Sequence, residues 1–60
     1  MTILDIQQAV AARFHLKVVD LRGSRRYPEV SGPRAIAMYL TRTLLRLSFP
    51  EIGMRFGGKD

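Results

Sequence analysis

Residues 48–60 read SFPEIGMRFGGKD, and this stretch combines the start of a short helix with a stop signal. Ser48 is suited to cap a helix, and Glu51 stands three residues later, as in a capping box. The two adjacent glycines are the residue type that ends helices, and Asp60 is a type that begins them. The stretch therefore predicts a helix over about 49–56, a tight turn, and the cap of a further helix absent from these 60 residues.

Two helices are predicted near the start of the chain. Thr2 and Asp5 have the spacing of an approximate capping box, and apolar residues then recur at helical spacing, which predicts a helix over about 3–14. Its expected apolar face comprises Ile3, Ile6, Ala9, Val10 and Phe14. A short helical turn follows over about 18–22 and ends at a glycine.

The longest predicted helix covers residues 33–47. Pro33 suits the first helical position, because the donor that it lacks would be unpaired there anyway, and Ser31 or Gly32 would precede it as the cap. We expect the apolar residues of this helix to face the core, including Tyr39 as a packing residue. The predicted stripe is formed by Ile36, Leu40, Leu44 and Leu47, widened by Ala37 and Met38.

Composition excludes several classes of protein. Sixty residues make one small domain at most, and without cysteine the chain has neither disulfides nor thiolate metal ligands. A single histidine does not build a zinc site, the scattered carboxylates form no catalytic set, and no nucleotide-binding glycine pattern is present. We therefore expect neither an enzyme nor a cofactor in this chain. The absence of a signal-peptide pattern or an apolar span predicts a cytoplasmic location.

Charge points to a polyanionic partner. Ten lysines and arginines face five acidic residues, for a net charge of +5, and arginine is favoured where paired hydrogen bonds grip a phosphate. Arg25 and Arg26 lie in a glycine- and proline-punctuated segment that predicts a basic loop over 22–32. Such a loop suits a phosphate backbone or a minor groove, where inserted arginine is favoured. A solvated basic turn without a ligand is the alternative.

The order of the last elements is that of a helix-turn-helix: a helix, a tight turn containing glycine, and a cap for the recognition helix. Three stretches carry a closer likeness, namely ILDIQQAVAARFHLKVVDLRGSRR, PRAIAMYLTRTL and SFPEIGMRFGGKD. Together they resemble the C-terminal DNA-binding domain of DnaA, the bacterial chromosomal replication initiator. The resemblance implies an all-α fold, a small helical bundle of the Trp-repressor-like type. Residues 1–60 would form a single incomplete DNA-binding domain, with a partial helix-turn-helix that stops before the recognition helix.

The resemblance also implies a partner and a set of contacts. In that family the domain binds double-stranded DnaA boxes at the replication origin, so we expect a nucleoid-associated protein that uses ATP only in an upstream domain. Its contacts would be Arg26 in the minor groove with Arg25 beside it, Arg34 at the start of the long helix, Arg42 at a phosphate, and Pro50 in the turn that approaches the backbone. Lys59 would be a basic turn position, and Asp60 would cap the recognition helix and approach a base edge. Two residues depart from the family pattern: Ala35 replaces a glutamine, and Glu29 adds a negative charge to the loop.

Several expectations follow for the chain by itself. Without a recognition helix it would bind duplexes weakly, mainly without sequence preference, and less tightly as salt rises. Apolar faces left uncovered would favour self-association. The alternative function is a helical interaction module for an acidic protein or an acidic phospholipid surface. The first helix carries too little positive charge to favour the phospholipid surface.

Overall fold

The computed structural model describes residues 1–23 and 27–57. The four helices of these segments are α1 (Ile3–Arg13), α2 (Val18–Arg22), α3 (Pro28–Leu45) and α4 (Phe49–Arg55). They contain no strand, and the all-helical prediction is confirmed. Helix α3 packs against each of the other three and so forms the centre of a small bundle. Within the described segments, no helix is both long and apolar enough to cross a membrane.

Helix α1 begins and ends with side-chain and backbone caps. The Thr2 amide donates to the Asp5 carboxylate at 2.8 Å, and the Asp5 amide donates to the Thr2 hydroxyl at 3.2 Å, so the predicted capping box is confirmed. At the other end His15 adopts a left-handed backbone with φ of 58°. The Leu16 amide then reaches back to the Ala11 carbonyl at 2.8 Å, as in a Schellman motif. This turn brings Leu16 against the core.

The prediction that the long helix begins at Pro33 is wrong. Pro28 occupies its first turn, with Tyr27 as the N-cap, whereas Ser31 and Pro33 lie inside the helix. Both prolines suit a helix start, but an interior proline cannot donate the hydrogen bond that a helix expects at its position. Burial of this part of α3 offsets that loss, because Val30, which is 5% exposed, and Pro33 are both buried.

The predicted basic loop over 22–32 is wrong at both of its ends, and residues 24–26 within it lie outside the described residues. Residue 22 ends α2, and residues 28–32 form the first turns of α3. Glu29 consequently lies in the first turn of a helix rather than in a loop. An acidic side chain there interacts favourably with the helix dipole, which gives this departure from the family pattern a structural role.

The buried face of α3 also differs from the predicted stripe. Ala37 and Thr41 are fully buried, whereas Ile36 is 44% exposed, Leu44 53% and Tyr39 68%. Small side chains allow two helices to approach closely, and the Thr41 hydroxyl is satisfied by donating to the Ala37 carbonyl at 2.8 Å. The expectations that Ile36 and Leu44 face the core and that Tyr39 packs are therefore wrong.

One cluster of buried side chains joins α1, α2, α3 and the end of α4. Its members are Ile6, Val10, Ala11, Leu21, Ala37, Ile52 and Phe56. Ile52 and Phe56 fix α4 in the bundle, as their shared helical face predicts, whereas Phe49 at its start is 71% exposed. Helix α4 is therefore anchored by its C-terminal half and presents its first turn to solvent.

Candidate nucleic-acid interface

The structure places three of the seven predicted contact residues. Arg34 and Arg42 lie on α3, and Pro50 lies in the first turn of α4. Arg25, Arg26, Lys59 and Asp60 fall outside the described residues. The interface is therefore described from α3, from α4 and from the turn between them.

Arg34 joins α3 to the end of α2. Its Nη2 donates to the Asp20 carbonyl at 2.8 Å, and its Nε donates to the Leu21 carbonyl at 3.2 Å. These carbonyls belong to the last turn of α2, where helix carbonyls lack intrahelical partners. Because a guanidinium carries five N–H donors, the two bonds leave donors for an anion. Arg34 is thus a half-buried bracket between helices that still carries a positive charge.

Arg42 spans the turn between α3 and α4. Its Nη1 donates to the Leu47 carbonyl, and its guanidinium carbon lies 4.5 Å from the centre of the Phe49 ring. At that distance the cation is attracted to the face of the ring. This side chain of α3 therefore contacts both the turn and the first residue of α4.

Pro50 is exposed beside this pair. Ser48 caps α4 by accepting a hydrogen bond from the Glu51 amide at 3.3 Å. Phe49 and Pro50 then occupy the first two helical positions, where the missing proline donor costs no intrahelical bond. Proline at this position fixes the direction in which the chain enters α4.

Arg46 completes the surface that we call the α3–α4 corner, which consists of Arg42, Arg46, Phe49 and Pro50. Arg46 ends α3 with a left-handed backbone, φ 57° and ψ 36°, and its side chain is exposed. Residues 42–50 contain no acidic residue. The next acid, Glu51, lies 3.5 Å from Arg55 in an exposed ion pair within α4. The corner therefore combines two cationic groups with an exposed ring.

Two buried polar residues escaped the sequence analysis. Gln7 is 2% exposed, and its Nε2 donates to the Arg55 carbonyl at the end of α4, at 3.0 Å. The signal was its spacing, since Gln7 lies four residues after Ile3 and three before Val10, within the apolar stripe of α1. Thr41 is likewise one turn beyond Ala37. Neither residue was predicted to be buried, because both side chains are polar and so were not counted in the apolar stripes.

Titratable and metal-binding chemistry is sparse in the described segments. The pKa of Asp5 is lowered, chiefly because its carboxylate accepts a hydrogen bond from the Thr2 backbone amide. Residues 1–23 and 27–57 contain no group of three or more histidine or acidic side chains placed to hold a metal ion. The chemistry that these segments offer is therefore mainly that of arginine and aromatic side chains.

Comparison with known proteins identifies the family. The sequence model of the family described as bacterial dnaA protein helix-turn-helix matches residues 3–60. The chain belongs to this bacterial DnaA helix-turn-helix family. It is 50% identical over its whole length to the chromosomal replication initiator protein DnaA of Rickettsia canadensis and 47% identical to that of Zymomonas mobilis. The resemblance carried by the three sequence stretches is confirmed.

The match covers only a small part of each relative. All 60 residues of the chain align, but they span 13% of the Rickettsia protein and 12% of the Zymomonas protein. The assignment of α4 and the glycine that follows it to the part of the helix-turn-helix before the recognition helix stays a prediction.

Proposed function

We propose that this chain binds double-stranded DNA within a bacterial replication initiator and that its preferred targets are the DnaA boxes of a replication origin. The proposal is supported by the family match over residues 3–60 and by relatives named as chromosomal replication initiators. A domain with a net charge of +5 also suits a polyanionic partner.

The kinds of residue present indicate which contacts to DNA this chain would make. Phosphate contacts position a protein on the duplex, whereas contacts to base edges specify sequence. Arg34 and Arg42 are suited to phosphates. The proposed contact set is Arg25, Arg26, Arg34, Arg42, Pro50, Lys59 and Asp60, with Arg26 in the minor groove and Arg25 beside it.

No cofactor is assigned to this chain in the proposal. Nucleotide chemistry would belong to parts of the relatives outside the matched segment. The proposed place of action is the chromosome in the bacterial cytoplasm. Self-association stays a prediction, which the exposure of Ile36 and Leu44 on α3 favours, and sedimentation across a concentration series tests it.

Fluorescence anisotropy with two labelled duplexes tests the proposal. One duplex carries a DnaA box, and the other carries the same bases in scrambled order. We expect the 60-residue chain to bind both duplexes weakly and with little preference, and the initiator that contains it to bind the box duplex more tightly. All of these affinities should fall as salt rises, because arginines displace counterions from phosphates. Failure of the chain to bind either duplex at low salt would refute the proposal, and equal affinities in the initiator would refute its specificity.

A matched pair of variants separates a DNA contact from general charge. Arg26→Ala and Arg13→Ala each remove one positive charge, but only Arg26 belongs to the proposed contact set. We expect Arg26→Ala to weaken duplex binding about tenfold, a typical loss for a groove contact of roughly 1–3 kcal/mol, and Arg13→Ala to change it by less than about twofold. Binding to vesicles of acidic phospholipid, measured with the same variants, tests the alternative function. Tight vesicle binding without duplex binding would favour that alternative.

A further inference from the structure

We propose that Arg42 is a positioning residue for DNA binding: it locks the turn between α3 and α4 so that the first turn of α4 faces the duplex. This role rests on the proposed function and deepens it. It differs from a point charge next to a phosphate, because it depends on the planar guanidinium and on its contacts within the chain.

The contacts of Arg42 span every part of the turn. Its own carbonyl accepts from the Arg46 amide at 3.1 Å and closes the last turn of α3. Its side chain donates to the Leu47 carbonyl and covers one face of the Phe49 ring. The same residue therefore ends one helix, holds the connection and touches the start of the next.

The turn has an unfavourable backbone, although Leu47 within it packs against the core. Arg46 is left-handed, a conformation that residues with a side chain rarely adopt. Helix α4 is anchored by Ile52 and Phe56, whereas Phe49 is 71% exposed and has no place in the buried core. The guanidinium of Arg42 supplies the first turn of α4 with a contact to α3.

A lysine ammonium cannot stack on the Phe49 ring as a guanidinium plane does while it also donates to the Leu47 carbonyl. Lysine carries the same charge, but its ammonium is a compact, strongly hydrated group without a plane to stack on a ring. A positioning role therefore predicts that Arg42→Lys weakens DNA binding, whereas a point-charge role predicts that lysine substitutes well. Arg46 provides the matched control, because it lies on the same corner and is exposed.

The test is a double-mutant cycle on duplex affinity with the 60-residue chain. Its members are the unsubstituted chain, Arg42→Lys, Phe49→Leu and the double variant, with Arg46→Lys as the control. The duplex affinity of every variant is measured at one temperature, at which a separate urea titration shows that the variant is folded. We expect Arg42→Lys to weaken binding about three- to tenfold, given the modest size of exposed cation–π and hydrogen-bond contributions. The slope of affinity against salt should stay unchanged because the charge is retained.

Coupling is the second expected result. In the Phe49→Leu background, Arg42→Lys should cost less than about twofold, and Arg46→Lys should do the same in the unsubstituted chain. Three outcomes would overturn the positioning role without touching the proposed function. The losses from the two substitutions could be additive, or Arg42→Lys could bind like the Arg46→Lys control. Arg42→Lys could also lower the urea midpoint and leave the affinity unchanged. If the unsubstituted chain binds no duplex, the proposed function fails, and this role fails with it.

Discussion

Replacing Gln7 by methionine tests how a buried hydrogen bond holds the end of α4. The Gln7 amide donates to the Arg55 carbonyl at 3.0 Å and connects α1 to α4 across 48 positions of sequence. Methionine has a similar length and an adaptable apolar side chain, so packing is largely kept while the donor is lost. The substitution therefore isolates the hydrogen bond from the volume of the side chain.

The expected loss of stability follows from the exposure of the two partners. Removing one partner of a buried hydrogen bond costs about 1–3 kcal/mol. The bond is only partly buried, so the lower part of that range, about 1–2 kcal/mol, applies. An unfolding entropy of about 2.1 cal/mol/K per residue converts this loss to a fall in Tm of about 8–16 °C for a chain of 60 residues.

Thermal unfolding followed by far-ultraviolet circular dichroism measures the loss, and Gln8→Met is the matched control because Gln8 is the exposed neighbour. We expect Gln8→Met to change Tm by only a few degrees. Hydrogen exchange should also show faster exchange of the amides near the end of α4 in Gln7→Met. The reasoning is refuted if the two methionine variants unfold at the same temperature.

Three further predictions concern capping, packing and the turn. The lowered pKa of Asp5 in the folded chain means that its stabilising contribution is present above its ordinary value of 3.8 and is lost as the pH falls through the lowered folded value. Asp5→Asn should flatten this acid dependence in unfolding experiments, and an unchanged pH profile would contradict the capping role. Leu21→Ala removes a fully buried side chain and should cost about 2–5 kcal/mol, whereas Leu44→Ala, on the exposed side of α3, should cost less than about 1 kcal/mol; equal losses in urea titration would refute the assigned burial. Arg46→Gly relieves a left-handed backbone and should raise the free energy of unfolding by about 0.5–1 kcal/mol, and a loss of stability would argue against that geometry.

Much of the bundle was predictable because its signals are local. Three of these signals act within one helical turn: the Thr2–Asp5 capping box, the glycine after α2, and the Ser48 cap before Pro50. The all-helical class and the family resemblance follow from such signals and from the three sequence stretches.

Competing local signals misplaced the start of α3. Pro28 and Pro33 lie five residues apart, and both fit the first position of a helix equally well. Val30 between them is buried in the folded chain, so tertiary packing favours the helix start at Pro28. The sequence around the prolines does not contain that information.

The candidate interface shows the same limit. Its basic residues were found from charge and from the resemblance, but the partners of Arg34 and Arg42 within the chain were not. Arg34 holds the end of α2, and Arg42 holds Leu47 and Phe49. A sequence shows that an arginine is present, and only the fold shows which of its donors are already used.

By itself, the sequence determined the helical class, the order of the four helices and the family, because caps, spacing and family motifs are properties of neighbouring residues. Only the tertiary structure decided that Ala37 and Thr41, rather than Ile36 and Leu44, face the core and that Gln7 reaches the end of α4. Those outcomes depend on how closely helices approach and on which carbonyls lack partners once they are packed. Both quantities are set by residues far apart in the chain.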